Sequence, residues 1–392
     1  DIQGMILTIN KTKDPVKIGL LFSTTGGASA METSMMKASL FAVEEINKNG
    51  GIDGCELQTV SHDPCSMSSK YRDFAEQLII EDKVNIILGC YMSSSRKAVL
   101  SVVERQNALL MYPAQYEGFE FSKNIIYTGA APNQNSRQLG DYLLRYVGKR
   151  FYMVGSDYIW PWEADRVMSE MLASRSGIVV GERYLKLEAP RKVFDTLVQD
   201  IKKQSPDVIF CNFVGESITH FYQAYADAGL DPKSMPIASL TTSETDIQAM
   251  GTAAGVGHYT AATYFQSVDN PVNKKIVERY QSKYGTDELT NMCWDSAYFQ
   301  VHILANAIMN AESDNINILR QSLLGSELNA PQGRVRIDPD NHHTYVWPRV
   351  GRVKEDGQFE ILFEPTHSVK PDPYLANHDP NGWPTDTIMK AV

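Results

Sequence analysis

Short apolar runs alternate with helix-period segments along most of this chain, and no other feature restricts its fold as much. Residues 16–22 read as a strand that ends in the Ser-Thr-Thr-Gly-Gly segment 23–27. Met36, Leu40, Val43 and Ile46 then recur at helical spacing until Asn49, Gly50 and Gly51 stop the helix. Strands at 56–60, 84–88 and 108–111 follow, interleaved with a helix carrying Tyr71, Phe74, Leu78 and Ile79 and another over 94–105. Repeated βαβ units build a parallel sheet covered by helices on both faces, so an α/β architecture is expected.

The pattern restarts near residue 133. Strands are expected at 151–155, 178–184, 207–211, 236–239 and 259–263, and helices at 272–284 and 294–309. The C-terminal part changes character. Residues 333–338, 345–353 and 359–363 read as short antiparallel strands, and the Pro-, Asp- and Asn-rich stretch from Glu364 reads as an irregular surface segment. Two runs of one pattern predict two similar lobes rather than a solenoid.

The 392 residues suffice for two ordinary domains, and 43% hydrophobic content supplies two cores. A formal net charge of −10 argues against direct binding to nucleic acid or an anionic membrane, both of which select a basic surface. No run approaches the roughly 18 apolar residues of a membrane span. No secretory signal is visible; one cleaved upstream of Asp1 stays open, and Met5 is also readable as a native start. The five cysteines form no evident disulfide framework. Cys211 and Cys293 read as small core residues, and a Cys65–Cys90 bridge is conceivable. This usage tilts the expectation toward a reducing compartment.

Catalytic signatures are missing from the sequence: there is no Walker A loop, G-x-G-x-x-G, G-x-S-x-G elbow or H-E-x-x-H. His342 and His343 adjoin in an expected turn and make a poor metal pair, so neither metal nor cofactor is expected. Instead, aromatic and hydroxyl residues gather after four expected strands. Tyr91 and Ser93 follow one and Tyr112 to Gln115 the next, while Tyr158 and Trp160, then Thr241, follow strands of the second run. In open α/β sheets ligands sit at such carboxyl ends, where free N–H groups of helix starts are also available. Arg96 is the one arginine near these loops. Neutral donors and acceptors between aromatic walls suit a planar, polar, uncharged ligand. The plainer alternative makes Ser93 or Ser94 an N-cap and each tyrosine a packing residue.

Several stretches carry a family likeness: Leu-Leu-Phe-Ser at 20–23, Gly-Cys-Tyr-Met-Ser at 89–93, Tyr-Glu-Gly at 116–118, Ala-Pro-Asn-Gln-Asn at 131–135, Gly-Ser-Asp-Tyr at 155–158, Ser-Leu-Thr-Thr-Ser-Glu at 239–244 and Ala-Pro-Gln-Gly at 330–333. The chain resembles the type I periplasmic-binding-protein superfamily, within it the short-chain amide and urea binders. The resemblance implies two Rossmann-like lobes with hinge crossovers, lobe I being 14–130 plus 265–328 and lobe II being 131–264 plus 329–392. It implies a ligand between them held by Tyr91, Ser93, Tyr112, Tyr158 and Thr241. Ala114 and Gln115 are similar to the urea binders, and Trp160 stands where a tyrosine is usual. The implied protein is a non-catalytic receptor for a small neutral amide or urea, signalling to an antitermination-type regulator in the cytoplasm. The alternative is the solute-binding component of an ABC transporter, periplasmic or lipoprotein-anchored, with a permease as partner. Homo-oligomer formation is left open.

Overall fold

A computed structural model describes residues 14–376 and the strand 387–389. The suggested start at Met5 lies outside the described residues. The first run is β1 (Val16–Leu21), α1 (Ser29–Lys48), β2 (Leu57–Ser61), α2 (Ser68–Ile80), β3 (Ile86–Gly89), α3 (Ser93–Gln106), β4 (Leu109–Tyr112) and β5 (Ile125–Tyr127). Its five strands are parallel in the order β2-β1-β3-β4-β5. Every residue of β3 and β4 is buried, as expected of strands covered on both faces.

The second run is α4 (Ser136–Tyr146), β6 (Arg150–Ser156), α5 (Ile159–Ser174), β7 (Ile178–Leu185), α6 (Arg191–Gln204), β8 (Val208–Asn212), α7 (Glu216–Asp227), β9 (Ile237–Ser239), α8 (Glu244–Met250), α9 (Thr252–Gly255) and β10 (Tyr259–Ala262). Then come α10 (Pro271–Tyr284), α11 (Met292–Ala311), α12 (Ile316–Leu323), β11 (Glu327–Ala330), β12 (Gly333–Ile337), β13 (Thr344–Tyr345), β14 (Arg349–Val353), β15 (Phe359–Pro365) and β16 (Thr387–Met389). The second sheet has eight strands in the order β16-β15-β14-β10-β9-β8-β6-β7. Strands β6 to β10 run parallel, whereas β14, β15 and β16 add antiparallel at one edge.

The chain returns to the first sheet after β10. Phe41 of α1 meets the rings of Tyr280, Trp294 and Tyr298 at centroid distances of 5.5, 6.2 and 5.7 Å. Strands β11 to β13 form a separate three-stranded sheet. It leans on the first sheet, where the Tyr127 N–H donates to the His342 carbonyl at 2.9 Å. The expected strand over 345–353 is two strands in different sheets, and β16 gives the expected irregular tail a paired element. All five cysteines are free thiols, which corrects the conceivable Cys65–Cys90 bridge.

Several buried carboxyls shape the stability of this core. Burial pushes Glu32, Asp165 and Glu244 up to about 8 and Asp295 up to about 7. Glu32 Oε2, Glu244 Oε2 and Asp295 Oδ1 have no hydrogen-bond partner among the described residues, as suits neutral acids. In the unfolded chain these groups ionise near about pH 4. Below that value both states hold the proton and the stabilisation is full. As pH rises toward about 8 only the folded state retains it, and stability is lost. Thermal melts are expected to give a higher midpoint at mildly acidic pH than in mild alkali; a midpoint that climbs across that interval would contradict the assignment.

Candidate functional site

The site is built from the carboxyl ends of both sheets. Gly89 ends β3 where a Cβ would lie 2.4 Å from the Leu21 carbonyl oxygen, so the close approach of β1 and β3 requires glycine. Cys90 follows with φ 68°, a left-handed conformation that turns the chain sharply, and its N–H donates to that carbonyl at 3.0 Å. Tyr91 and Ser93 are thereby delivered to the top of the sheet. Met92 occupies the N-cap position and gives no side-chain cap. The expected capping by Ser93 or Ser94 is therefore absent. Ser93 is the first helical residue, and its hydroxyl is engaged elsewhere.

From β4 the chain leads to Gln115, whose Nε2 donates to the Leu240 carbonyl at 3.2 Å and whose Oε1 accepts from Cys293 Sγ at 3.4 Å. The first of these bonds links the two lobes directly. In the second sheet Tyr158 takes an extended backbone ahead of α5, and Trp160 lies in the first turn of that helix rather than in a loop. Thr241 follows β9 and donates its hydroxyl to the Phe213 carbonyl at 2.8 Å.

These side chains converge. Tyr91, Ser93, Gln115, Tyr158, Trp160, Val214 and Thr241 line one cavity of about 10 Å³, room for about one water molecule. Six of the seven expected residues are among them. Tyr112 is not: it lies fully buried behind Tyr91 and donates its hydroxyl to the Tyr91 carbonyl at 2.7 Å. Val214 was not anticipated, because an apolar residue after an apolar strand reads as more strand. Tyr91, Tyr158 and Trp160 supply the aromatic part of the lining. Burial holds both phenols well above their ordinary range, so they are neutral donors. A larger cleft of about 390 Å³ opens beside the cavity, with Gly27, Met92, Val214, Glu216 and His220 on its walls.

Behind the cavity sits a charge cluster that the sequence did not reveal. Arg96 is fully buried; its Nη2 donates to Glu117 Oε1 at 2.8 Å and its Nε to Glu120 Oε2 at 3.0 Å. Its guanidinium carbon also lies 5.0 and 4.5 Å from the ring centroids of Tyr112 and Tyr116. Ser93 joins the cluster, donating to Glu117 Oε2 at 2.5 Å and accepting from Arg96 Nη1 at 3.2 Å. The signal available in sequence was a carboxylate at 117 amid aromatic and glycine neighbours, close to a lone arginine. Among the described residues no group of three or more His, Cys, Asp or Glu could hold a metal. His343 is packed flat on Tyr127 at 4.0 Å, hydrogen-bonded to the Tyr116 hydroxyl, and pushed down to about 3 by burial.

The model of the periplasmic binding protein domain matches residues 16–380. The Leu/Ile/Val-binding protein homolog 6 of Brucella suis is 24% identical over 374 residues, covering 92% of this chain and 94% of that protein. A stretch of 128 residues, 33% of this chain, is 28% identical to a limonene hydroxylase of Geobacillus stearothermophilus, of whose length it spans only 23%. A solute-binding protein of an ABC transporter from R. palustris, crystallised with 4-hydroxybenzoate, superposes with a TM-score of 0.81. At 21% identity over 93% of this chain and 99% of that one, it shows the shared fold.

These matches overturn the cytoplasmic location expected from sequence, since the family is described as periplasmic and the R. palustris relative serves an ABC transporter. That expectation leaned on cysteine usage. Cys90, Cys211 and Cys293 are buried core thiols whose occurrence follows from packing and reports no redox compartment.

Proposed function

This chain belongs to the periplasmic binding protein family, and from that premise we propose that it is the solute-binding component of an ABC transporter for a small neutral amide or urea-like molecule. The carrying observation is a minute cavity lined by neutral hydrogen-bonding and aromatic residues, whose nearest cation, Arg96, is already paired with two carboxylates. The relatives' named ligands, Leu/Ile/Val and 4-hydroxybenzoate, all carry a carboxylate. A carboxylate selects a cation or several aimed donors, and none of the cavity-lining residues is cationic. A four-heavy-atom amide requires less widening of this space than an aromatic acid does.

In this reading Tyr91 and Tyr158 wall the solute from opposite lobes, and Ser93, Gln115 and Thr241 fix its polar atoms. Lobe I (14–130 plus 265–328) and lobe II (131–264 plus 329–392) close around it by hinge motion, and a permease reads the closed form. The protein is non-catalytic. This replaces the regulator-signalling reading favoured from sequence, because the R. palustris relative is named as the solute-binding protein of an ABC transporter.

Calorimetric titration with urea, formamide, acetamide, propionamide, leucine and 4-hydroxybenzoate tests the proposal. The best tiny ligands reach about −1.5 kcal/mol per heavy atom, so urea or acetamide is expected to bind no tighter than a Kd of roughly tens of micromolar. Tyr91→Ala is expected to abolish the signal. Silence for all four small solutes, with saturable binding of leucine or 4-hydroxybenzoate, would overturn the assignment.

A further inference from the structure

We infer that Glu117 fixes the Ser93 hydroxyl as a hydrogen-bond acceptor toward the cavity, so that the site selects solutes presenting an N–H group there. The inference rests on the proposed amide or urea reading and adds to it the positioning residue and the donor requirement. A serine hydroxyl has one proton and two lone pairs. The proton goes to Glu117 Oε2 at 2.5 Å, because an ionised carboxylate can only accept. One lone pair takes the Arg96 Nη1–H at 3.2 Å, because a guanidinium can only donate. The remaining lone pair is what Ser93, a cavity-lining residue, can offer a ligand. Its backbone N–H, first in α3 and without an intrahelical acceptor, offers the complementary donor. Acceptor and donor side by side match the N–H and C=O of a planar amide. Burial makes the arrangement rigid: Arg96 is 0%, Ser93 2% and Glu117 4% exposed, so water cannot reassign the proton.

The same rules predict what Glu117→Gln does. Arg96 Nη2 still has to donate, so it claims the new amide oxygen, and the amide nitrogen is left facing Ser93. Ser93 then accepts from both neighbours, and its proton turns into the cavity. The variant inverts the polarity of Ser93 at almost constant volume.

Urea, acetamide and acetone are near-isosteric and replace NH2 by CH3 stepwise, so their relative affinities read the donor requirement. Competition calorimetry on the native protein is expected to place acetone about tenfold or more below urea. In Glu117→Gln that ratio is expected to fall about tenfold. Ser93→Ala, a second variant that keeps Glu117 and Arg96, is expected to lower urea affinity and bring the ratio close to one. Thermal melts confirm folding, and should Glu117→Gln not fold, Ser93→Ala decides. A ratio unchanged in either folded variant, or a native protein that binds acetone as well as urea, overturns the inference and leaves the proposed function standing. A native protein silent to urea, formamide, acetamide and propionamide alike overturns both.

Discussion

Alanine at Gly215 is expected to weaken solute binding by about ten- to a hundredfold while leaving the protein folded, the range that overpacking by a methyl group commonly costs. Gly215 follows β8 of the second sheet with φ 63°. A Cβ there would lie 2.3 Å from the carbonyl oxygen of Gly27, which follows β1 of the first sheet. The obstacle is backbone, so it cannot rotate aside. The two lobes therefore touch through bare main chain at the mouth of the cleft. In the hinge-closure reading, the added methyl group opposes the closed form alone, and that part of the cost appears in affinity. The positive φ strains alanine by about 1–3 kcal/mol in open and closed forms alike, and that part appears in the melting temperature. Gly27→Ala is the control, since its Cβ would rest in ordinary contact 3.5 Å from Glu188 Oε1. Titration of both variants beside the native protein separates the outcomes. Native affinity in Gly215→Ala would mean that closure does not pass through this contact.

Arg96→Met is expected to destabilise the fold by about 3–5 kcal/mol, the usual cost of stripping one partner from a buried ion pair. Two carboxylates, Glu117 and Glu120, would be left in the interior with Lys97 as the remaining cation, 3.3 Å from Glu120. In the native protein burial raises the Glu120 carboxyl, but Arg96, Tyr127 and Lys97 together outweigh it and hold the group below its usual range. A depressed carboxyl stabilises above its unfolded value and loses that contribution as pH falls through the folded one. Without Arg96 burial prevails and the sign reverses: the carboxyls take up protons, and the variant regains stability on acidification. Scanning calorimetry at mildly acidic and at neutral pH reads both effects, and it avoids urea, a candidate ligand, as denaturant. A variant that loses less than about 1 kcal/mol, the worth of a surface pair, would show that the cluster is not the anchor of this corner.

The strand and helix order was largely legible because periodicity and glycine punctuation are local. The facing of α1 was less so: Leu40 keeps helical spacing yet is 39% exposed, while Met35, Ala38 and Ala42 are fully buried. A 20-residue helix with small residues on its packed side gives a weak apolar contrast. Strand β5 is three residues long and left no run to detect. Pairing was invisible for β13 and β14, since alternation marks a strand but not its partner. At the candidate site, six of the expected residues line one cavity because strand ends carry hydroxyls and rings there. Tyr112 was misplaced by one layer: the last residue of β4 points back beneath Tyr91. Glu117 and Arg96 were not recognised as a pair because two charges 21 positions apart become neighbours only through the loop after β4.

The return of the chain to its first sheet governs the order in which the molecule can be made. The Ser39 hydroxyl of α1 lies 3.5 Å from the Ala297 carbonyl of α11, 258 residues later. Phe41 waits almost as long for Tyr280, Trp294 and Tyr298. A chain emerging from the ribosome therefore completes its second βα run before its first lobe has a cover. Contacts so distant in sequence form slowly, and the uncovered face of α1 is an apolar surface open to capture in the meantime. A polypeptide stopped at residue 264 would keep that face permanently, so neither lobe can be isolated by a single cut.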